Sequence, residues 1–170
     1  FSTFLGLLSY VNDKYKLIKK FGHPKSPAGL SHESVQTLKT KLWDDVSIID
    51  EYIDSVRIDS EEQIQILEGW KKKISGRFVV VKHLKKHSIF LDNENDLLFG
   101  VIGITDPICF VISETLPVLV NAVLLPFKGA IIYDSLLGRY NVYFGSNICW
   151  SFNKKYSEIK KEIGIITTID

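Results

Sequence analysis

The sequence has no methionine, only two cysteines and five prolines among its 170 residues, and little net charge. Cys109 and Cys149 stand far apart without a CxxC or Cys/His spacing, which excludes a zinc ribbon or dithiol motif. We expect two buried, reduced thiols. The polar residues 12–14 interrupt the first apolar segment well short of the roughly 20 residues of a membrane span, and no secretory signal precedes them. These absences predict a cytoplasmic protein with no membrane partner.

The composition is that of an ordinary globular domain. The 21 Lys and Arg oppose 20 Asp and Glu, the formal net charge is +1, and 45% of the residues are hydrophobic. This balance excludes a disordered chain, and the length predicts a single domain over 1–170 with one core. Because methionine is missing even at position 1, we expect a truncated or processed chain, or one that has lost modified methionines.

Residues 1–75 have helical periodicity. Apolar residues recur at three- and four-residue spacing from Phe4 to Ile18, which predicts a first helix with Asn12 on its outer face. The segment 22–29 combines prolines and glycines, and we predict a mobile loop there. Three short helices are expected to follow: one capped by Ser31, one over 46–56, and one capped by Ser60 that runs through Ile74.

In residues 76–170 the apolar period changes to two, which predicts a sheet-rich part. Its clearest element is a hairpin in which strands over 118–127 and 130–136 flank Lys128-Gly129, with glycine where a positive φ is needed. Further strands are predicted over 77–84, 88–91, 97–104 and 140–144. A last helix is predicted from Phe152 to Ile163, and the tail after it is expected to pair as an edge strand.

Grouping helices first and strands second predicts an α+β fold. We expect N-terminal helices followed by a mostly antiparallel sheet of about five or six strands, with a C-terminal helix, rather than alternating βαβ units. No internal repeat is visible, which disfavours solenoids and propellers.

The sign of the charge reverses along the chain. Nine acidic residues and one arginine lie between Asp44 and Glu68, whereas residues 71–87 contain seven Lys or Arg and no acid. This run predicts a phosphate-facing surface for nucleic acid or another anionic partner, with Trp70 and Phe78 near enough to stack on bases. The basic residues are Lys71, Lys72, Lys73, Arg77, Lys82, Lys85 and Lys86. Alternatively, these cations neutralise a helix C-terminus and protect a hairpin edge.

Metal and cofactor motifs are weak. His83 and His87 have the spacing of ligands on a helix, but the segment has a strand pattern, in which such positions lie roughly 13 Å apart. The carboxylates Asp92, Glu94 and Asp96 lack the glycine and the downstream glutamate of an EF-hand. We therefore predict no metal and no cofactor.

Catalytic signatures such as GxSxG, the Walker motif and GxGxxG are also missing. Asp134 is the best catalytic candidate, because it ends a very apolar strand. Partial burial there can raise the pKa of the carboxyl group into the range that acid–base catalysis uses. Arg139 and Tyr140 lie nearby in sequence, and a hydrolase-like enzyme with a pocket around these three residues is the alternative function. The structural alternative is that Asp134 accepts hydrogen bonds from turn N–H groups before Gly138.

The function predicted best is a non-catalytic binding or regulatory module, because no catalytic constellation can be defended. A third hypothesis is a self-associating protein, a homo-oligomer in which the strand over 118–127 lies at an exposed edge and pairs with a second copy.

One segment, LLPFKGAIIYDS over residues 124–135, resembles a family of uncharacterised bacterial proteins with an LLPFKGxIIYDG-type sequence. The likeness also includes three shorter stretches: Gly76-Arg77-Phe78, Ile89-Phe90-Leu91 and Gly164-Ile165-Ile166-Thr167. Ser135 stands where the family has glycine, a difference that concerns the backbone geometry of the turn after Asp134. The resemblance extends over most of the chain and implies a bacterial, intracellular origin and no particular activity.

Overall fold

The computed structural model describes residues 2–19, 21, 30–112 and 115–170, so the predicted loop over 22–29 lies outside the described residues. The chain forms two compact units, Phe1–Lys71 and Lys72–Asp170. The first is helical and the second contains the sheet, so the change from helix to sheet lies slightly before the predicted position at residue 75. A single shared core over 1–170 stays a prediction.

The described part of the first unit has the predicted succession of helices. They are α1 (Ser2–Tyr15), α2 (His32–Asp44), α3 (Ser47–Ser55) and α4 (Glu61–Trp70). Both predicted N-caps are confirmed: Ser31 Oγ accepts the Ser34 N–H at 3.1 Å, and Ser60 Oγ accepts the Gln63 N–H at 3.3 Å. Each cap satisfies a backbone donor that the first turn of a helix leaves free.

Two helix ends differ from the predictions. The first helix stops at Tyr15, because Lys16 adopts a φ of 51° and its N–H donates to the Asn12 carbonyl at 2.7 Å. Asn12 is buried rather than outward-facing, and its amide oxygen accepts the Ile18 N–H at 2.8 Å. Ile74, predicted as helical, begins a strand because it pairs with Leu124.

The second unit confirms the predicted α+β class. Its elements are β1 (Ile74–His83), β2 (Ser88–Asp92), β3 (Leu97–Ile102), α5 (Ile108–Val111), β4 (Val118–Phe127), β5 (Ala130–Tyr133), β6 (Gly138–Arg139) and α6 (Ser146–Glu162). The predicted bounds of β4 are confirmed, and the positive φ angles of Lys128 and Gly129 (49° and 74°) confirm the tight turn to β5. The predicted strand over 140–144 is wrong, since these residues form no regular strand.

The sheet closes on itself. Its strands follow the order β1-β2-β3-β5-β4, and β4 pairs back onto β1. The β3–β5 pair is parallel and the other strand pairs are antiparallel. Because β4 also pairs with β5 and β6 along its other side, it is not the exposed edge that self-association through 118–127 requires.

Two apolar layers hold the second unit together. Inside the closed sheet, the Phe78 ring lies 6.1 Å from Phe90 and 6.0 Å from Phe99, centroid to centroid. Outside it, α6 places Tyr156 and Ile159 against the buried outward-facing residues of β1, β2 and β3. Because successive side chains of a strand point to opposite faces, β1 contributes Phe78 and Val80 to the inner layer and Val79 and Val81 to the outer layer. Each fully buried large side chain contributes about 1.5–3 kcal/mol.

The tail also joins the sheet. The Ile166 N–H donates to the Leu98 carbonyl and the Gly100 N–H donates to the Ile166 carbonyl, both at 2.8 Å. Ile166 thus forms a parallel bridge with Phe99 beside the short β3–β5 pairing. The tail therefore pairs with the sheet as predicted, but through a single bridge rather than as an edge strand.

Candidate functional site

The predicted basic surface is divided by the strand that runs through it. Lys72 and Lys73 precede β1, whereas Lys85 and Lys86 follow it. At about 3.3 Å per residue, a strand of this length separates the two groups by roughly 30 Å. The basic residues therefore do not gather into one compact patch.

Two of the cations are neutralised by acidic partners. Lys71 donates to Asp50 Oδ1 at 2.7 Å within the helical unit, and this hydrogen bond raises the lysine pKa, as does a second bond to Glu68. Arg77 pairs with Glu94 at 3.1 Å. Exposed pairs of this kind contribute at most about 1 kcal/mol. They nevertheless reduce the charge that these two residues present to a partner.

The remaining cations have different surroundings. Lys73 Nζ donates to Ser75 Oγ at 3.1 Å, and Lys82 Nζ lies 5.2 Å from the centroid of the Tyr156 ring on α6. Lys72 is exposed. Lys85 and Lys86 are exposed in the loop between β1 and β2, and neither forms an ion pair with any described residue.

A backbone hydrogen bond between its two ends constrains the loop between β1 and β2. The Leu84 N–H donates to the His87 carbonyl at 2.9 Å, which closes the loop around Lys85 and Lys86. No acidic residue occurs from Lys71 to Leu91. The loop therefore presents two adjacent positive charges on a constrained backbone.

The aromatic residues expected to stack on bases are not accessible. Phe78 is 1% exposed inside the closed sheet. Trp70 is 4% exposed in the helical unit, where its ring lies edge-on to Phe4 at 5.8 Å. The predicted stacking role of Trp70 and Phe78 is wrong, because tertiary contacts cover both rings.

The two histidines at this end of the sheet have structural contacts. His83 Nδ1 hydrogen-bonds with the buried Ser88 Oγ at 2.7 Å, and the His87 ring lies against Gly100. Burial lowers the pKa of both imidazoles. Among the described residues no group of three or more His, Cys, Asp or Glu is placed to hold a metal ion.

Asp134 lies directly after β5 and is only 3% exposed. Its N–H donates to the Val123 carbonyl at 3.1 Å, and the next residue, Ser135, has a φ of 81°. Glycine adopts this left-handed conformation without the steric cost of a side chain. Glycine would therefore fit position 135 of this turn at a lower steric cost than the serine that occupies it.

A cavity of about 270 Å³ lies beside the start of β4. Arg139 and Tyr140 line it, as predicted for a pocket, but Asp134 is not among the described lining residues. The other described lining residues are Thr115, Leu116, Pro117, Val118, Asn141, Val142, Tyr143, Phe144 and Cys149. The structure thus brings together two of the three candidate catalytic residues and leaves out the carboxylate.

Sequence reasoning missed Tyr143, which is 93% exposed at this cavity. The density of aromatic residues from Tyr140 to Trp150 was the available signal.

Both cysteines are free, but Cys109 is exposed and Cys149 is half-buried, so the expected burial of both thiols is wrong.

Across the described ranges, no helix combines the length and apolar character needed to cross a membrane. The chain matches no family model, no curated protein and no solved structure.

Proposed function

We propose that the sheet-rich unit is a non-catalytic binding module for an anionic partner, with nucleic acid as the leading candidate. Its primary contact is the loop between β1 and β2, where Lys85 and Lys86 are exposed and form no ion pair with the described residues. This observation carries the proposal, because uncompensated cations on an ordered loop attract phosphates. The cytoplasmic location and bacterial origin predicted from the sequence belong to the same proposal.

The strand arrangement supports the choice of loop. A closed sheet in the order β1-β2-β3-β5-β4, with a helix between β3 and β4, resembles the small Greek-key barrel of the OB-fold. OB-folds contact oligonucleotides and oligosaccharides through the β1–β2 and β4–β5 loops. Here the first loop contains Lys85 and Lys86, and the second contains Lys128. A shared topology does not assign a function by itself, and the exposed lysines of these two loops are what support the proposed contact.

The sheet face that OB-folds use is covered. Tyr156 and Ile159 of α6 occupy the outer side of β1, β2 and β3. A partner therefore reaches this unit through loops rather than across the open face. The hydrolase-like alternative is less well supported, because the cavity that holds Arg139 and Tyr140 lacks Asp134 among its described lining residues.

The test is binding of the full chain to a fluorescently labelled single-stranded oligonucleotide at 50 and 200 mM salt. The double variant Lys85→Ala/Lys86→Ala should bind more weakly. Each lost phosphate contact should also reduce the slope of log affinity against log salt by about 0.7.

The matched control is Lys160→Ala/Lys161→Ala, which removes the same charge from exposed positions on α6. It should retain nearly wild-type affinity. Equal losses in the two double variants, or binding that is absent or independent of salt, would contradict the proposal.

A further inference from the structure

The cavity beside β4 has the lining of a site for a flat aromatic ring. Its described lining residues include Tyr140, Tyr143, Phe144 and Arg139, and none of them is acidic. Ligand pockets for drug-sized molecules have volumes of about 300–1,000 Å³. At about 270 Å³ this cavity suits a single ring system.

The segment around the cavity leaves apolar side chains in solvent. We call these residues the aromatic surface: Tyr140, Val142, Tyr143, Ile148 and Trp150. Tyr143 is 93% exposed and Trp150 is 65% exposed. Solvent exposure of several large apolar groups in one stretch is typical of an interaction site.

The backbone holds this surface in place without a ligand. Arg139 pairs with Val120, and the Tyr140 N–H donates to the Leu119 carbonyl at 3.0 Å. At the other end of the segment, the Phe144 ring lies edge-on to Phe152 at 5.1 Å. Because both ends are fixed, binding at the intervening residues requires little ordering of the chain.

The charge of the surroundings favours an anionic ligand. The sheet-rich unit has twelve Lys and Arg against nine Asp and Glu, a formal charge of +3. Lys154 Nζ lies 5.4 Å from the Trp150 ring centroid and 3.8 Å from Glu158 Oε1, so the cation at the aromatic surface is partly neutralised by a neighbour on α6. Arg139 has five N–H donors and can bind a phosphate while it keeps a contact with the protein. Aromatic faces interleaved with cations are the pattern of single-strand binding sites.

We propose that the cavity binds one nucleotide unit of a single-stranded nucleic acid. The base stacks on Tyr140 and Tyr143, and the adjoining phosphate contacts Arg139. Thr115 and Asn141 also line the cavity, and hydroxyl and amide groups of this kind can hydrogen-bond the edge of a base. This inference rests on the proposed function and adds a base-reading site to the phosphate contact at the β1–β2 loop.

The test compares two labelled strands of equal length with the full chain: a twelve-nucleotide poly(dT) strand and its fully abasic counterpart. Removing one stacked ring should lower the affinity of Tyr143→Ala for poly(dT) by about 5- to 150-fold. The affinity of this variant for the abasic strand should equal that of the wild type. Tyr143→Phe keeps the ring and should bind poly(dT) nearly as well as the wild type.

Phe110→Ala is the matched control, because Phe110 is a 75% exposed ring that is not among the described residues lining the cavity. It should not change binding. The high exposure of Tyr143 also makes its replacement compatible with folding, which circular dichroism checks.

The outcomes separate the two proposals. If Lys85→Ala/Lys86→Ala weakens binding but Tyr143→Ala does not, the base site is wrong and the proposed function stands. If neither strand binds the wild type, both are wrong. If Tyr143→Ala instead abolishes a concentration-dependent increase in mass without affecting strand binding, the aromatic surface joins two copies of the chain, and the base site is overturned.

Discussion

Replacing Gly100 with alanine tests the contact that holds the β1–β2 loop against the sheet. A Cβ atom at this position would lie 2.8 Å from His87 Cδ2, 3.0 Å from Nε2 and 3.1 Å from Cγ. The backbone cannot move easily, because Gly100 pairs with Ile89 on one side and donates to the Ile166 carbonyl on the other. The histidine ring must move instead, and overpacking of this kind costs about 1–3 kcal/mol.

The measurement is urea unfolding of Gly100→Ala, His87→Ala and the double variant. If the clash with the ring is the cause, the cost of Gly100→Ala should nearly disappear in the His87→Ala background, a coupling of about 1 kcal/mol or more. Gly76→Ala is the matched control, because its nearest contact is Phe78 Cζ at an ordinary 3.9 Å. We expect the control to be neutral or to stabilise by up to about 1 kcal/mol. An equal cost of Gly100→Ala in both backgrounds would refute the steric argument.

Three further predictions concern stability. Ser135→Gly should raise the free energy of unfolding by about 0.5–1 kcal/mol, because a φ of 81° suits glycine; a lower melting temperature would contradict this. The Asp92 carboxylate accepts the backbone N–H groups of Glu94 and Asn95 at 3.0 and 3.1 Å, so Asp92→Ala should cost about 1–2 kcal/mol in urea unfolding, and an unchanged midpoint would count against it. Burial lowers the pKa of His83 and His87 below the ordinary 6.5, so the unfolded chain binds more protons and stability should fall as pH decreases through about 6.5. Replacing both histidines with glutamine should flatten that profile between pH 7.5 and 5, and an unaltered slope would show that other groups are responsible.

The elements that could be predicted are determined by residues that are neighbours in the sequence. Lys128-Gly129 determines a tight turn locally, and Ser31 and Ser60 each cap the helix that follows directly. Ile74 shows the limit of this reasoning. It continues the helical spacing of the preceding residues, yet it pairs with Leu124 much later in the chain. Such long-range pairing overrides the local pattern.

The candidate site was less predictable for the same reason. Lys71 and Arg77 belong to one basic run in the sequence, but their partners Asp50 and Glu94 come from other elements. Tyr143 lies in a segment with the alternating pattern of a strand. However, β4 is paired with β1 on one side and with β5 and the short β6 on the other, and residues 140–144 form no regular strand beyond β6. The ring therefore remains in solvent, and the density of aromatic residues in this segment was the only local sign of it.

The bridge between Phe99 and Ile166 has a consequence for biosynthesis. On the ribosome, β3 emerges long before the residue that supplies its parallel neighbour. Until then, the Gly100 N–H and the Leu98 carbonyl have no strand to bind on that side. Nascent chains should accordingly become less sensitive to protease once residue 166 has left the ribosomal exit tunnel, because domains fold as units during translation.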